Sequence, residues 1–186
     1  MKNVYPIKDL DVLNTLLNYY YVRNERDYVL FNFGIYAPLR ISDILRFKVR
    51  DVRGKEHFYI TEKKTKKPSR FPLNDELKKV LNHYIQDKKD HEYLFASRQK
   101  NKNGIHGPIS RQTAWRILNS GAKEMGIEKI GCHSLRKTFG YHYYRKTKDI
   151  MMLKEIFNHA DIAETRHYIG LTETIRYDAI KSFRYD

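Results

Sequence analysis

Apolar residues in the first third of the chain recur at three- and four-residue spacing. Across 9–22, Leu10, Leu13, Leu16, Leu17 and Tyr20 form one stripe, which predicts an amphipathic helix. Residues 25–36 are apolar more densely and predict a second, largely buried helix. Pro38 interrupts the pattern, because proline lacks an amide hydrogen and clashes with the turn before it. Ser42, followed by Asp43, predicts the capped start of a short third helix.

From residue 49 the period changes. Residues 57–61 (HFYIT) are aromatic and β-branched, as a strand requires. Residues 69–73 (SRFPL) predict a second short strand, on an edge because of Pro72. The basic turn EKKTKKP joins them into a small antiparallel hairpin, or into part of a three-stranded sheet. Helices then return. Asn74 caps 75–88, with Leu77, Val80, Leu81 and Tyr84 on one face, and Ser110 caps 111–125, where the apolar period places Trp115 in the core. The polar, basic stretch 97–107 between them reads as a loop. Further helices are predicted at 133–146, 149–158 and 172–183. The expected fold class is mainly α with a small β insertion (α+β). No repeat, low-complexity tract or linker divides the chain.

Charge narrows the partner. Among 186 residues, 36 Lys and Arg face 22 Asp and Glu, a net charge of +14. Solubility asks a small domain for a charge of only about 2–8. The excess points to a polyanion, with nucleic acid ahead of an anionic membrane surface. An apolar content of 41% is enough for a core and excludes a disordered chain. Cys132 is the only cysteine, so no internal disulfide can form and a reducing compartment suits the chain. No signal peptide or apolar run of membrane-spanning length is present. The expectation is a cytoplasmic protein without a membrane partner. One Cys and dispersed His also argue against a structural zinc site.

Candidate chemistry lies in six residues. Arg40 precedes a helix start, and Lys64 lies in the basic turn. His133 and Arg136 stand three apart, on one helical face. His159 follows, and Tyr168 comes nine residues later. Singly these are ordinary: Lys64 sits among other lysines, and Tyr168 is one of 15 tyrosines. As an ordered set they resemble the tyrosine recombinase, or phage integrase, family. APLRISD is similar to its arginine turn. Lys64 stands eight residues before Pro72, as the family's hairpin lysine does. HSLRKTF matches its H-x-L-R-x-T-F segment, and FNHADIAETRHY resembles its L-G-H…Y segment. The resemblance covers about residues 9–183. Two positions depart from it: Ala37–Pro38 replaces Thr–Gly before Leu39–Arg40, and Asn158 replaces glycine before His159.

The resemblance implies the tyrosine recombinase catalytic-domain fold over 1–186, as a single catalytic domain without the family's N-terminal DNA clamp. It implies a site-specific DNA recombinase or integrase that forms a 3′-phosphotyrosine on Tyr168. Type IB topoisomerase-like relaxation and a silent DNA-binding regulator are the alternatives. The chemistry is consistent with the residue types. A phosphorane gathers negative charge on its non-bridging oxygens, which Arg40 and Arg136 can clamp with charged planar forks. His159 donates a further hydrogen bond. A phenol with a pKa of about 10 must lose its proton as it attacks, and His133 is the natural acceptor. The resemblance assigns Lys64 to protonate the leaving 5′-oxygen. Neither a metal nor another cofactor is required. Double-stranded DNA is the expected partner, contacted by Lys63, Lys66, Lys67, Arg98, Lys100 and Lys102. The C-terminal segment 170–186 has an amphipathic pattern at Leu171, Ile175, Ala179, Ile180 and Phe183. In the family such a segment docks on a neighbouring protomer; packing on its own domain is the alternative.

Overall fold

The computed structural model describes residues 4–64, 66, 68–100, 102–128, 130–171 and 180–184. Helices α1 (Leu10–Arg23) and α2 (Glu25–Tyr36) pack side by side. Asp9 caps α1 through the amides of Asp11 and Val12, and Asn24 caps α2 through Asp27. Only part of the predicted α1 stripe is inside: Leu16 and Tyr20 are buried, whereas Leu10 is exposed. The short helix α3 (Ile41–Ile44) begins two residues earlier than a Ser42 cap predicts. Its N-cap is Arg40, which makes no side-chain capping bond.

Strands β1 (His57–Thr61) and β2 (Pro68–Pro72) pair antiparallel, with Thr61 opposite Pro68 and His57 opposite Pro72. They form a two-stranded sheet and no third strand joins it among the described residues. Phe58 turns into the core against Phe33 and Phe47, which anchors the hairpin on α2. Helix α4 (Asp75–Tyr84) is capped by Asn74 as expected and stops short of residue 88. The stretch expected to be a loop contains a second hairpin, β3 (Ala96–Lys100) with β4 (His106–Pro108), bulged between its pairs. Its turn carries Asn103–Gly104, with Gly104 at φ 72°.

Helix α5 (Arg111–Glu124) is capped by Ser110. Trp115 on α5 is 49% exposed, against the expectation of a core residue. Its turn of the helix sends Ala114 and Leu118 inward instead. Then come α6 (Cys132–Thr147), α7 (Ile150–Phe157) and α8 (Ile162–Tyr168). The sequence reading did not foresee α8. The predicted helix over 172–183 lies mostly outside the described residues. Of its apolar pattern, Ile175 and Ala179 lie outside them, and Ile180 and Phe183 are exposed.

Two close approaches place the site. Gly34 on α2 meets Leu135 on α6 so tightly that a Cβ at residue 34 would overlap the leucine side chain. This sets Arg136 against the end of α2. A Cβ at Gly140 would come within 2.7 Å of Phe157 and of Ile169. The missing side chain lets α7 and α8 close over α6. Leu153, Phe157 and Ile169 form a second small core there, and Tyr168 packs on it.

Candidate active site

The structure gathers Arg40, Arg136, His159 and Tyr168 from four separate segments. Arg40 is the extended residue between α2 and α3 (φ −75°, ψ 145°). Its Nη1 is ion-paired with a carboxylate that sequence reasoning missed, Glu62. Glu62 follows β1 and is 2% exposed. Its Oε1 accepts hydrogen bonds from Ser69 Oγ and from Asn158 Nδ2, each at 3.0 Å. Burial pushes the carboxyl up. The Ser69 bond, the bond and charge of Arg40, and the charge of Arg136 outweigh that and hold it below the usual carboxylate range.

Arg136, on α6, is 3% exposed. Its Nε donates to the Pro38 carbonyl at 2.8 Å, and Nη2 donates to the Phe157 carbonyl at 3.0 Å. One guanidinium therefore fastens the segment bearing Arg40 to the segment bearing His159. Burial draws its pKa down, with Tyr168 opposing, Arg40 adding to the fall and Glu62 opposing. An arginine retains its charge through such a shift. The pocket thus holds two guanidinium cations beside the carboxylate of Glu62, with the Glu164 carboxylate 4.0 Å from His159 Nε2. It is a ready anion site.

Asn158 ends α7 in the left-handed region (φ 53°, ψ 43°). Glycine takes that conformation freely, and asparagine is among the few residues that tolerate it. The turn swings His159 back over Phe157, with ring centroids 5.2 Å apart. Nδ1 of His159 lies 3.0 Å from Thr165 Oγ1. Burial lowers the pKa of His159. Arg136, Arg40 and Lys64 lower it further, and Glu164 opposes them.

Tyr168 closes α8. Its ring meets His159 edge-on at 5.0 Å and Phe157 at 5.4 Å. The guanidinium carbon of Arg136 is 5.8 Å from the ring centroid, and Lys137 Nζ is 5.3 Å from it. The hydroxyl is buried and hydrogen-bonds to none of the described residues. Burial raises its pKa above 10.0, against the charges of Arg136 and Arg40.

The other two candidates sit at the edge of this group. His133 is half-buried near the start of α6. It lines a cleft of about 520 Å³ with Val4, Arg111, Trp115 and Cys132 among its neighbours. Burial lowers its pKa, and Arg111, Arg136, Lys137 and Arg40 add to the fall. Lys64 is exposed in the β1–β2 turn, which the Lys66 amide closes on the Glu62 carbonyl at 2.9 Å. Asp43, fully buried on α3, accepts from the Lys63 amide at 2.9 Å and so fixes the root of that turn. Of the expected DNA contacts, Lys63, Lys66, Arg98, Lys100 and Lys102 are exposed, and Lys67 lies outside the described residues. Among the described residues, no group of three His, Cys, Asp or Glu side chains is placed to hold a metal, and no helix is long and apolar enough to cross a membrane.

Comparison with known proteins places the chain in a family. A profile of the Phage integrase family matches residues 8–174. A probable integrase/recombinase of Bacillus subtilis (strain 168), YoeC, is 45% identical over 183 residues, which cover 98% of each chain. A tyrosine recombinase of Pseudothermotoga lettingae is 30% identical over 163 residues, covering 86% of this chain and 54% of that one. The chain therefore spans nearly all of the first relative and about half of the second. Among solved structures, XerA recombinase aligns with a TM-score of 0.75 at 23% identity, covering 98% of this chain and 65% of that one. XerH site-specific recombinase, bound to a palindromic difH substrate, aligns at 0.69 and 18%, covering 96% and 53%.

Proposed function

Because the chain belongs to the phage integrase family, we propose that it is a site-specific DNA recombinase whose nucleophile is Tyr168. The carrying observation is the pocket in which the charges of Arg40 and Arg136 act on a buried tyrosine hydroxyl that makes no hydrogen bond of good geometry to any described residue. An unpaired buried hydroxyl costs about 1–3 kcal/mol. A phosphodiester seated between the two arginines brings an electrophile and a partner to that oxygen at once.

The steps balance without a metal. Tyr168 Oη attacks phosphorus, a tyrosyl–3′-phosphate bond forms, and the bond to the 5′-oxygen breaks. The phenolic proton passes to His133, which burial and nearby cations keep neutral at pH 7 and thus able to accept it. Lys64 protonates the departing 5′-oxygen. A 5′-hydroxyl from a second duplex then reverses the sequence on a new strand. Arg40 and Arg136 act most strongly when the phosphorane carries its extra charge, so they favour the transition state over the bound substrate.

His159 donates to a non-bridging oxygen through Nε2–H. The Thr165 hydroxyl, which donates to the Asp161 carbonyl at 3.3 Å, lies 3.0 Å from Nδ1 and holds the ring in that orientation. The exposed cations of the two hairpins bind the backbone on either side. Residues 170–186 join neighbouring protomers on DNA.

Strand exchange tests this reading. Wild-type protein, incubated with pairs of randomised duplexes, is expected to enrich recombinant junctions at one sequence. Relaxation of supercoiled plasmid without sequence preference or recombinant junctions would contradict it in favour of a topoisomerase.

A further inference from the structure

Glu62 plays no part in the chemistry derived above, yet it is the most heavily bonded side chain of the pocket. Three donors converge on its carboxylate: Arg40, Ser69 and Asn158. They come from three different segments, namely the α2–α3 turn, strand β2 and the α7–α8 turn. A buried carboxylate is costly unless such partners surround it. The arrangement has a geometric result. Among the described residues only Nη1 of Arg40 is hydrogen-bonded, which leaves the other N–H groups of its fork for a ligand. The Glu62 backbone also closes the turn that carries Lys64.

Asn158 shows that this is more than a filled space. Its backbone lies in the left-handed region, where glycine is less strained. Asparagine brings what glycine lacks, an amide that reaches Glu62 at 3.0 Å. The next residue is His159.

We propose that Glu62 and Asn158 form a positioning pair that sets Arg40 and His159 in register around the phosphate. Glu62 orients the guanidinium, and Asn158 ties that orientation to the turn from which His159 projects. Neither touches the reacting atoms. The proposal rests on the recombinase reading for its consequence in catalysis, and on the ion pair and amide bond alone for its structure.

Three variants test it: Glu62→Gln, which keeps shape and removes charge; Asn158→Gly, which relieves the backbone and removes the amide; and the double variant. Each is checked for an unchanged melting temperature. Single-turnover cleavage of nicked duplexes is then read beside DNA affinity and the Arg40 Nε–H resonance in 15N NMR without DNA. Asn158→Gly is expected to slow cleavage by about 5- to 20-fold, and Glu62→Gln by about 10- to 100-fold, with affinity within about threefold in each. The double variant should match Glu62→Gln within about twofold, because both act through one device. The Arg40 resonance should shift in both single variants. Wild-type cleavage by Asn158→Gly, or additive losses in the double variant, would overturn the pair while leaving the recombinase reading in place. If the wild type does not cleave, the recombinase reading fails, and the resonance alone decides: a shift in both variants retains the positioning pair, and an unmoved signal removes it.

Discussion

The guanidinium of Arg136 lies beside the buried hydroxyl-bearing ring of Tyr168, 5.8 Å from its centroid, yet its hydrogen bonds go to the carbonyls of Pro38 and Phe157. The tyrosine hydroxyl is left in a positive field, beside Arg136 but with no hydrogen bond of good geometry to any described residue. That combination is unfavourable at rest and useful when an anion arrives.

Removing the hydroxyl should therefore stabilise the free protein. Tyr168→Phe is expected to gain about 1–2 kcal/mol, since a buried unpaired polar group disappears and the ring remains. For a chain of this size that raises the melting temperature by roughly 2–4 °C for each kcal/mol. Calorimetry without DNA measures it, and a lower melting temperature would show that the hydroxyl is satisfied in solution.

The two arginines should fail in different ways. Arg40 pairs with the buried Glu62 carboxylate, so Arg40→Ala leaves that charge uncompensated and should lose stability, a loss relieved when Glu62→Gln is added. The Arg40→Ala cleavage rate should fall at least about 100-fold, while affinity changes by less than about tenfold. Arg136→Ala removes the donors of two carbonyls, at about 1–3 kcal/mol each, and should lose stability as well as chemistry. Denaturant titration beside single-turnover kinetics separates the two patterns.

His133 gives a pH signature. Its pKa lies below the ordinary 6.5, so the neutral form that accepts a proton persists below that value. Cleavage should hold down to pH 6.5 and decline only as pH falls through the lowered pKa. After burial, the charge of Arg111 is the largest cause of the shift, so Arg111→Gln should move this acid limb upward, toward 6.5. The same shift acts on folding: the unfolded histidine takes up its proton first, and stability drops as pH falls below 6.5. A limb that stays in place in Arg111→Gln, at saturating DNA, would exclude His133 as the titrating group.

Thr165 is buried and its hydroxyl meets His159 Nδ1. Thr165→Val keeps the shape and removes the hydroxyl that holds the ring. Cleavage should slow by about 10- to 100-fold through a misdirected imidazole, with the melting temperature little changed. An unchanged rate would mean that His159 is oriented without the Thr165 hydroxyl.

Much of the site was legible before any coordinates, and the reasons differ by residue. Arg40, Arg136, His159 and Tyr168 were found through their order and spacing, which no single residue revealed. Glu62 was not found, because a lone acid in the run EKKTKKP reads as a solvated turn residue, and its burial depends on contacts with residues 22 and 96 positions away. Helix α8 did carry a signal: Asp161 caps the amide of Glu164, and Glu164 reaches back to the amide of Ala160. The Asn103–Gly104 pair likewise marks the second hairpin, hidden by strands too polar to show alternation. Trp115 followed the apolar period of α5, but the helix turns it to the cleft rim beside His133.

The central claim is that Tyr168 becomes covalently joined to DNA. The direct measurement uses a pool of randomised duplexes with a nick in one strand, so that the short 5′-hydroxyl fragment released by cleavage diffuses away and traps the enzyme. The account predicts a denaturant-resistant protein–DNA adduct, with the nucleotide mapped by mass spectrometry to the peptide containing Tyr168, and no adduct from Tyr168→Phe. Firm binding of DNA without any adduct, or an adduct that survives Tyr168→Phe, would contradict it.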